Sequence, residues 1–262
     1  MAITVTDQMG VAVTIPHFPE RIISLVPSLT ELLFDLGLDE EIAAVTRFCI
    51  HPADRVREKP TIGGTKKFNL ARIRALSPDL IIGNKEENYP EGIAALRERF
   101  PVWMSDVVTL DDALAMIRSI AGLVGRPERG AALAADIADG FRSLADLPPL
   151  RAAYLIWRNP WMAAGGHTFI DSMMAQGGLI NVFTERYRYP EITLDAIREA
   201  APDAVLLSSE PFPFDESHRR ELAAELGGVP VICVDGMPFS WYGSRLLSTP
   251  SALRRLRARL SE

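Results

Sequence analysis

An internal echo limits what this chain can become. Leu70 to Glu86 reads LARIRALSPDLIIGNKE, and Leu194 to Glu210 reads LDAIREAAPDAVLLSSE. At a constant offset of 124 residues, Leu70, Ile73, Arg74, Pro78, Asp79 and Glu86 recur as Leu194, Ile197, Arg198, Pro202, Asp203 and Glu210. Each copy spells a short helix, a Pro-Asp turn and a buried strand. A weaker echo pairs RIISLVPSLTELLFDLG (21–37) with AYLIWRNPWMAAGGHTFIDSMMAQGG (153–178). Both run strand, polar loop, helix, glycine. A chain that repeats such a plan predicts two similar lobes.

Between the copies, Pro127 to Leu147 reads as one long helix. Proline suits a first helical position, and Glu128 complements the positive helix end. Leu133, Ile137, Phe141 and Leu144 fall on one stripe, and Pro148-Pro149 stop the run. The predicted organisation is therefore an N-terminal α/β lobe (1–126), a rigid connecting helix (127–147) and a C-terminal α/β lobe (148–262), with a ligand cleft between the lobes.

Elsewhere, Ile3–Ile15 alternates apolar and polar and predicts a β-hairpin. Ser28 is placed to cap a helix over 29–36, with Glu31 completing a capping box. Strands alternate with helices in both halves, so the sheets should be parallel with helices on both faces. Ligands of such sheets sit outside the carboxyl ends of the strands. The loops concerned are 27–30, 47–51, 83–88, 157–161, 208–214 and 235–245, with 63–68 and 185–189 at the border.

The totals exclude several classes. The chain has 262 residues, room for two domains, and its 48% apolar content suits a packed protein. A net charge of −6 gives no general attraction for nucleic acid. Cys49 and Cys233 lie in different halves, without metal-ligand or disulfide spacing, and read as buried free thiols. No stretch approaches the ~18–20 apolar residues of a membrane span. Met1–Gly10 does not read as a secretory signal, so the protein is cytoplasmic if Met1 is the native start.

The ligand-side loops carry chemistry all the same. Arg47, His51, Lys66, Lys67, Lys85, Arg158, Arg186, Arg188 and Arg245 form a basic set on an acidic protein. Guanidinium groups grip carboxylates and phosphates through paired hydrogen bonds, which points to an anionic ligand. Trp157, Trp161, Tyr187, Tyr189, Phe239, Trp241 and Tyr242 add flat apolar contact. Glu86 and Glu87 follow a strand and join the ligand-facing set. His51 or His167 is a candidate axial contact to a metal already held in a chelator; no free-ion site is predicted. An enzyme is not expected, because the chain has no G-x-S-x-G elbow, no P-loop and no G-x-G-x-x-G after a strand. The competing reading is a hydrolase using Glu86 or His167 in the cleft.

These runs resemble the helical-backbone substrate-binding proteins of ABC importers, the class that carries cobalamin, ferric siderophores and haem. The residues concerned are RIISLVPSLTELLFDLG, IGG followed by NLARIRALSPDLII, NPWMAAGGHTFIDSMMAQGGLINVF and YPEITLDAIREAAPDAVLL. The resemblance implies a monomeric, extracytoplasmic protein that binds a small-molecule metal chelate between its lobes and needs no cofactor. On the basic loops, a ferric siderophore ranks ahead of cobalamin or haem. Cobalamin binders hold the corrin between aromatic side chains; the matching positions here are Thr65, Tyr189 and His51. Docking to an ABC permease uses one carboxylate per lobe, which falls on Asp195 in the second lobe and on Ala71 in the first. A cytoplasmic carrier or sensor of the same fold is the alternative.

Overall fold

The computed structural model describes residues 2–260. The chain divides into two compact units, the two lobes of the fold. The first runs to Val107 and takes in Asp111–Ala138 and Trp241–Arg245. The second comprises Val108–Leu110, Asp139–Ser240 and the residues from Leu246 onward. The boundaries therefore differ from a simple cut at either end of a connecting helix. The pentapeptide Trp241–Arg245 lies far along the chain yet belongs to the first unit.

The first unit opens with the hairpin β1 (Ile3–Thr6) and β2 (Ala12–Ile15), in register Ile3 to Ile15. Then follow β3 (Ile22–Ser24), α1 (Pro27–Asp35), β4 (Ile42–Val45), α2 (Ala53–Val56) and the small pair β5 (Gly63–Gly64) and β6 (Lys67–Phe68). The unit continues with α3 (Leu70–Leu76), β7 (Leu80–Asn84), α4 (Pro90–Arg97), β8 (Val102–Ser105) and α5 (Leu110–Leu123). Its sheet is parallel, in order β4-β3-β7-β8. All five residues of β7 are buried, as expected of a parallel strand covered on both faces. The chain goes from β3 outward to β4 and then back across to β7. The crevice at the carboxyl ends of β3 and β7 is thus the unit's topological switch point.

The chain passes to the second unit within α6 (Pro127–Arg142). This helix ends five residues short of the predicted Leu147. Beyond it the backbone tightens: the N–H groups of Ser143, Leu144, Ala145 and Leu147 each reach a carbonyl only three residues back. The Ser143 hydroxyl also donates to Gly140 O at 2.6 Å, offering that carbonyl an alternative to the next helical turn. Of the predicted apolar stripe, Ile137, Phe141 and Leu144 are buried, while Leu133 is only partly covered and Ala134 beside it is buried instead.

The second unit contains β9 (Leu150–Trp157), β10 (Met162–Ala163), α7 (Phe169–Gln176), β11 (Leu179–Asn181), α8 (Leu194–Ala200), β12 (Ala204–Ser208), α9 (Glu216–Leu226), β13 (Val231–Val234), α10 (Met237–Ser240) and α11 (Thr249–Leu260). β9 pairs with β12, and β12 with β13, all parallel. The other edge of β9 takes β11 in parallel near Leu150 and β10 antiparallel near Trp157. The core gathers Leu155, Ile197, Val205, Leu207, Phe214 and Leu222. Each such side chain contributes about 1.5–3 kcal/mol by leaving water.

The repeat holds down to single hydrogen bonds. Asn69 caps α3 by accepting from Arg72 N at 3.0 Å, and Thr193 caps α8 by accepting from Ala196 N at 3.1 Å. Both helices end in a left-handed residue, Ser77 with φ 45° and Ala201 with φ 44°. Asp79 then accepts from Glu20 N and Arg21 N, and Asp203 from Arg151 N. Each aspartate pins the entry of its unit's central strand.

One predicted cap is corrected. α1 begins at Pro27, with Val26 at the cap position and no side-chain cap. Ser28 lies inside the first turn, buried with its hydroxyl unpartnered, and Glu31 binds Arg245 instead. Proline takes the first helical position and moves the start one residue earlier. Among the described residues no helix is long and apolar enough to cross a membrane.

Candidate ligand-binding site

In the first unit, the loop after β4 presents Arg47, Phe48 and Ile50 to solvent; Phe48 and Ile50 are each 49% exposed. Large apolar side chains are costly to leave in water, so two together on a strand-end loop stand out. The Arg47 guanidinium lies 5.0 Å from the centre of the Phe48 ring. Cys49 between them is buried and meets the hydroxyls of Thr30 at 3.1 Å and Thr46 at 3.3 Å. Burial raises its thiol pKa, against the lowering effect of those hydrogen bonds.

The loop after β7 is built by two asparagines. Asn84 Oδ1 accepts from Glu86 N at 2.8 Å and Glu87 N at 3.2 Å, and Asn84 Nδ2 donates to Ser105 Oγ at 3.0 Å. Asn88 Oδ1 accepts from Asn84 N at 2.9 Å. Its Nδ2 donates to Thr65 O at 3.1 Å and Leu25 O at 3.4 Å. Lys66 Nζ donates to Glu86 O, a second tie between the same two loops. Lys85 forms an ion pair with Asp106 at 2.6 Å. Lys67 is exposed at the tip of the small turn.

Trp241–Arg245 packs into this same unit. Tyr242 donates to Glu87 Oε1 at 2.8 Å. Arg245 grips both Glu31 oxygens, at 2.9 and 2.5 Å, and stacks 4.8 Å over Trp241. The Trp241 ring meets His51 edge-on at 5.6 Å. Trp241 and Tyr242 are 8% and 6% exposed. Trp241, Tyr242 and Arg245, which the sequence assigns to ligand contact, tie a returning segment to this unit through these contacts.

In the second unit, rings collect at the carboxyl ends of β9 and β12. Trp157, 39% exposed, meets Phe212 edge-on at 5.5 Å. Phe212 leans on Phe214 at 4.7 Å, and Trp161 stacks on Phe214 at 5.9 Å with planes 6° apart. Arg158 pairs with Glu221 and lies 5.5 Å from the Trp161 ring. His218 edges against both phenylalanines while completing the cap of α9 with Asp215. The Asp215 carboxyl is held well below the ordinary range, first by the Ser217 hydroxyl and then by the His218 backbone N–H. Beneath the rings, Tyr154 donates to Ser208 Oγ at 3.1 Å, and burial pushes its phenol pKa up. Phe239 lies 4.9 Å from Tyr154 and is 2% exposed, so it is a core residue.

A second rim forms where the glycines Gly165-Gly166 run beside residues 184–188. Gly165 N donates to Arg188 O at 2.6 Å, Gly166 N to Arg186 O at 2.8 Å, and Arg188 N to Gly166 O at 2.8 Å. Asp171 accepts from Asn181 Nδ2 at 2.7 Å and from the Thr184 hydroxyl at 3.2 Å, bracing that loop from below. The result displays Tyr187, 71% exposed, beside the exposed His167, with ring centres 5.4 Å apart. His167 is held at φ 59°, a left-handed conformation uncommon outside glycine. Arg186 lies over Phe183 at 5.4 Å, and Arg188 over Tyr189 at 5.9 Å.

Sequence reasoning does not single out Phe48, Ile50 or Phe212, which the structure places on the predicted ligand-side loops. The signal available was a bulky apolar side chain in a loop directly after a strand. Asp195 is exposed at the start of α8 and pairs with Arg198 at 2.5 Å; Ala71 occupies the matching place on α3. Among the described residues, no group of three or more His, Cys, Asp or Glu side chains is placed to hold a metal ion.

Known proteins share this architecture. The vitamin B12-binding protein of Pectobacterium atrosepticum is 27% identical over 242 residues, covering 87% of this chain and 85% of that protein. The crystal structure of the periplasmic vitamin B12-binding protein BtuF of Vibrio cholerae superposes with a TM-score of 0.81 at 23% identity. That match covers 94% of this chain and all of the other. The periplasmic haem-binding protein RhuT of Roseiflexus sp. RS-1 follows at a TM-score of 0.73 and 25% identity, over 92% of this chain and 97% of that one. The family model for periplasmic binding proteins matches residues 22–225, most of both sheets, and the chain belongs to that family of substrate-binding proteins rather than to an enzyme class.

Proposed function

We propose that this protein binds a flat metal macrocycle of the corrinoid class, outside the cytoplasm, as the substrate-binding component of an ABC importer. The loops at the carboxyl ends of the strands supply contacts. The carrying observation is the ring cluster Trp157–Phe212–Phe214–Trp161 at the strand ends of the second unit, with Trp157 open to solvent. Flat apolar faces match the face of a macrocycle. The curated vitamin B12-binding relatives support the same ligand class.

The basic loops favour a ferric siderophore when read from sequence alone. Three of their cations already face carboxylates: Lys85 faces Asp106, Arg158 faces Glu221 and Arg245 faces Glu31. That pairing weakens the electrostatic case and leaves aromatic surface as the stronger determinant. Ferric haem is the second reading, favoured by one observation. His167 is exposed and beside Tyr187 on a braced loop, and both residue types can take an axial place on ferric haem.

Titration with cyanocobalamin, haemin and ferrichrome, followed by tryptophan fluorescence and ligand absorbance, tests the ranking. Corrinoid binding below about 10 μM, roughly −7 kcal/mol, that weakens on Trp157→Ala supports it. Binding of ferrichrome alone, or of none of the three, sinks it. Permease docking through Asp195 predicts that Asp195→Ala abolishes uptake in a reconstituted importer while ligand affinity stays unchanged. Retained uptake would remove Asp195 from that role.

A further inference from the structure

We infer that Asn88 is the positioning residue of the first unit's ligand-side loops, a role that rests on the ligand-side reading above. Its carboxamide spans the switch point between β3 and β7. One acceptor and two donors in a single short planar group serve three chain segments: Asn84 N at the end of β7, Leu25 O after β3, and Thr65 O in the turn between β5 and β6. The backbone adds Asn88 N to Asn84 O at 3.1 Å, closing residues 84–88 into a loop. Asn88 is 3% exposed, so losing any one of these bonds strands a buried polar group. What the clamp holds is the unit's polar rim: Lys66 and Lys67 on one side, Glu86 and Glu87 on the other.

The repeat separates this role from a general requirement of the fold. At the offset of 124 the counterpart of Asn88 is Phe212, whose side chain makes no such bonds; only its backbone N–H reaches the central strand, donating to Ile156 O at 3.4 Å. The second unit nevertheless builds the same strand order around β9 and β12. Asn84, by contrast, has Ser208 as its counterpart, and both accept the N–H two residues on, at 2.8 and 3.3 Å. The turn-forming device is common to both copies. The clamp belongs to the copy whose loop after β7 is polar, at Asn84 to Asn88.

Two variants test it. Asn88→Asp keeps size and the acceptor but removes both donors. Gly83→Ala keeps Asn88 and crowds it, since a Cβ there would lie 2.6 Å from Asn88 Oδ1, the other close atom being Sδ of the flexible Met104 side chain at 2.9 Å. Cyanocobalamin titrations at 20 °C, with folding confirmed by near-UV circular dichroism, are run beside amide hydrogen exchange. The expected result is a Kd at least tenfold higher in both variants, with unchanged quenching at saturation, because fewer molecules hold the competent loop arrangement. Exchange should rise in residues 63–68 and 84–88 while β7 and β8 stay protected. A lowered melting temperature with unchanged Kd and unchanged loop exchange overturns the inference. If the wild type binds no corrinoid, the functional proposal fails on that ground, and loop exchange alone still decides whether Asn88 positions the rim.

Discussion

Gly166→Ala offers the sharpest quantitative test of the second unit's rim. A Cβ built at Gly166 would stand 2.1 Å from the carbonyl oxygen of Thr184. Ordinary contact begins near 3.4 Å, so the two backbones must separate by about 1.3 Å. Both are main chain, and no flexible side chain can swing aside. Three hydrogen bonds cross this seam: Gly165 N to Arg188 O, Gly166 N to Arg186 O, and Arg188 N to Gly166 O. At about 1 kcal/mol each they contribute about 3 kcal/mol. Replacing glycine by alanine restricts the unfolded chain and returns about 0.4–1 kcal/mol. The net expectation is a loss of about 2 kcal/mol, within the 5–15 kcal/mol typical of a folded protein. Urea unfolding followed by tryptophan fluorescence measures it. Gly122→Ala in α5 is the control, because a Cβ there meets nothing within 4 Å, and it should be neutral or mildly stabilising. The same displacement carries Arg186, Tyr187 and Arg188, so the Kd for the macrocycle should rise about tenfold or more. A Gly166→Ala protein within 0.5 kcal/mol of wild type and with unchanged Kd would show that the seam neither packs tightly nor shapes the site.

Other consequences are separable from ligand chemistry. Arg245→Leu leaves the Glu31 carboxylate largely buried without its forked partner and should cost about 2–3 kcal/mol in urea unfolding. Adding Glu31→Leu should recover most of that loss, and a harmless single variant would refute the anchoring role. The Cys49 thiol, raised in pKa by burial, should react with Ellman's reagent at pH 8 only as fast as the protein opens, more slowly than half-buried Cys233. Rapid modification of both thiols in the native protein would contradict the packing. Asp215 has a lowered folded pKa, so its stabilisation is full above the unfolded carboxylate pKa near ~4 and fades as pH falls further. The stability gap between wild type and Asp215→Asn should therefore be constant from pH 7 to 5 and shrink below about pH 4. A gap that widens with acid would reverse the assignment.

Local signals carried the frame of this protein, and distance in sequence set the limit. The helix caps at Asn69 and Thr193, the left-handed residues after α3 and α8, and the aspartates that receive the next strand all lie within motifs a few residues long. Each obeys a rule that acts over one turn. The partner of a charge obeys no such rule. Arg245 finds Glu31 across 214 positions, and Arg158 finds Glu221 across 63. From sequence alone these cations look available for an anionic ligand. Tertiary structure assigns them partners first. The return of Trp241–Arg245 to the first unit is equally invisible locally, since an aromatic and basic run after a strand also describes a binding loop. The end of α6 failed for a smaller reason: a serine hydroxyl beside Gly140 offered the carbonyl a different partner.

Divergence between the two copies bears on ligand choice. Positions that build the frame are matched: Asn69 with Thr193, Asp79 with Asp203, Asn84 with Ser208. Positions at the strand ends are not. Asn88 corresponds to Phe212, and the exposed Trp157 has no aromatic counterpart on the central strand of the first unit, where β3 ends at Ser24. The loop after β7 and the β5–β6 turn of the first lobe thus offer a hydrogen-bonding rim of lysines, glutamates and backbone set by asparagine. The other offers ring faces backed by a phenylalanine pair. Ring faces suit a flat macrocycle better than a small anion, which wants hydrogen-bond donors. Swapping the chemistry of one lobe, by Phe212→Asn, should therefore weaken the corrinoid more than it weakens a hydroxamate chelate. Equal loss for both ligands would show that the asymmetry of the copies has no part in recognition.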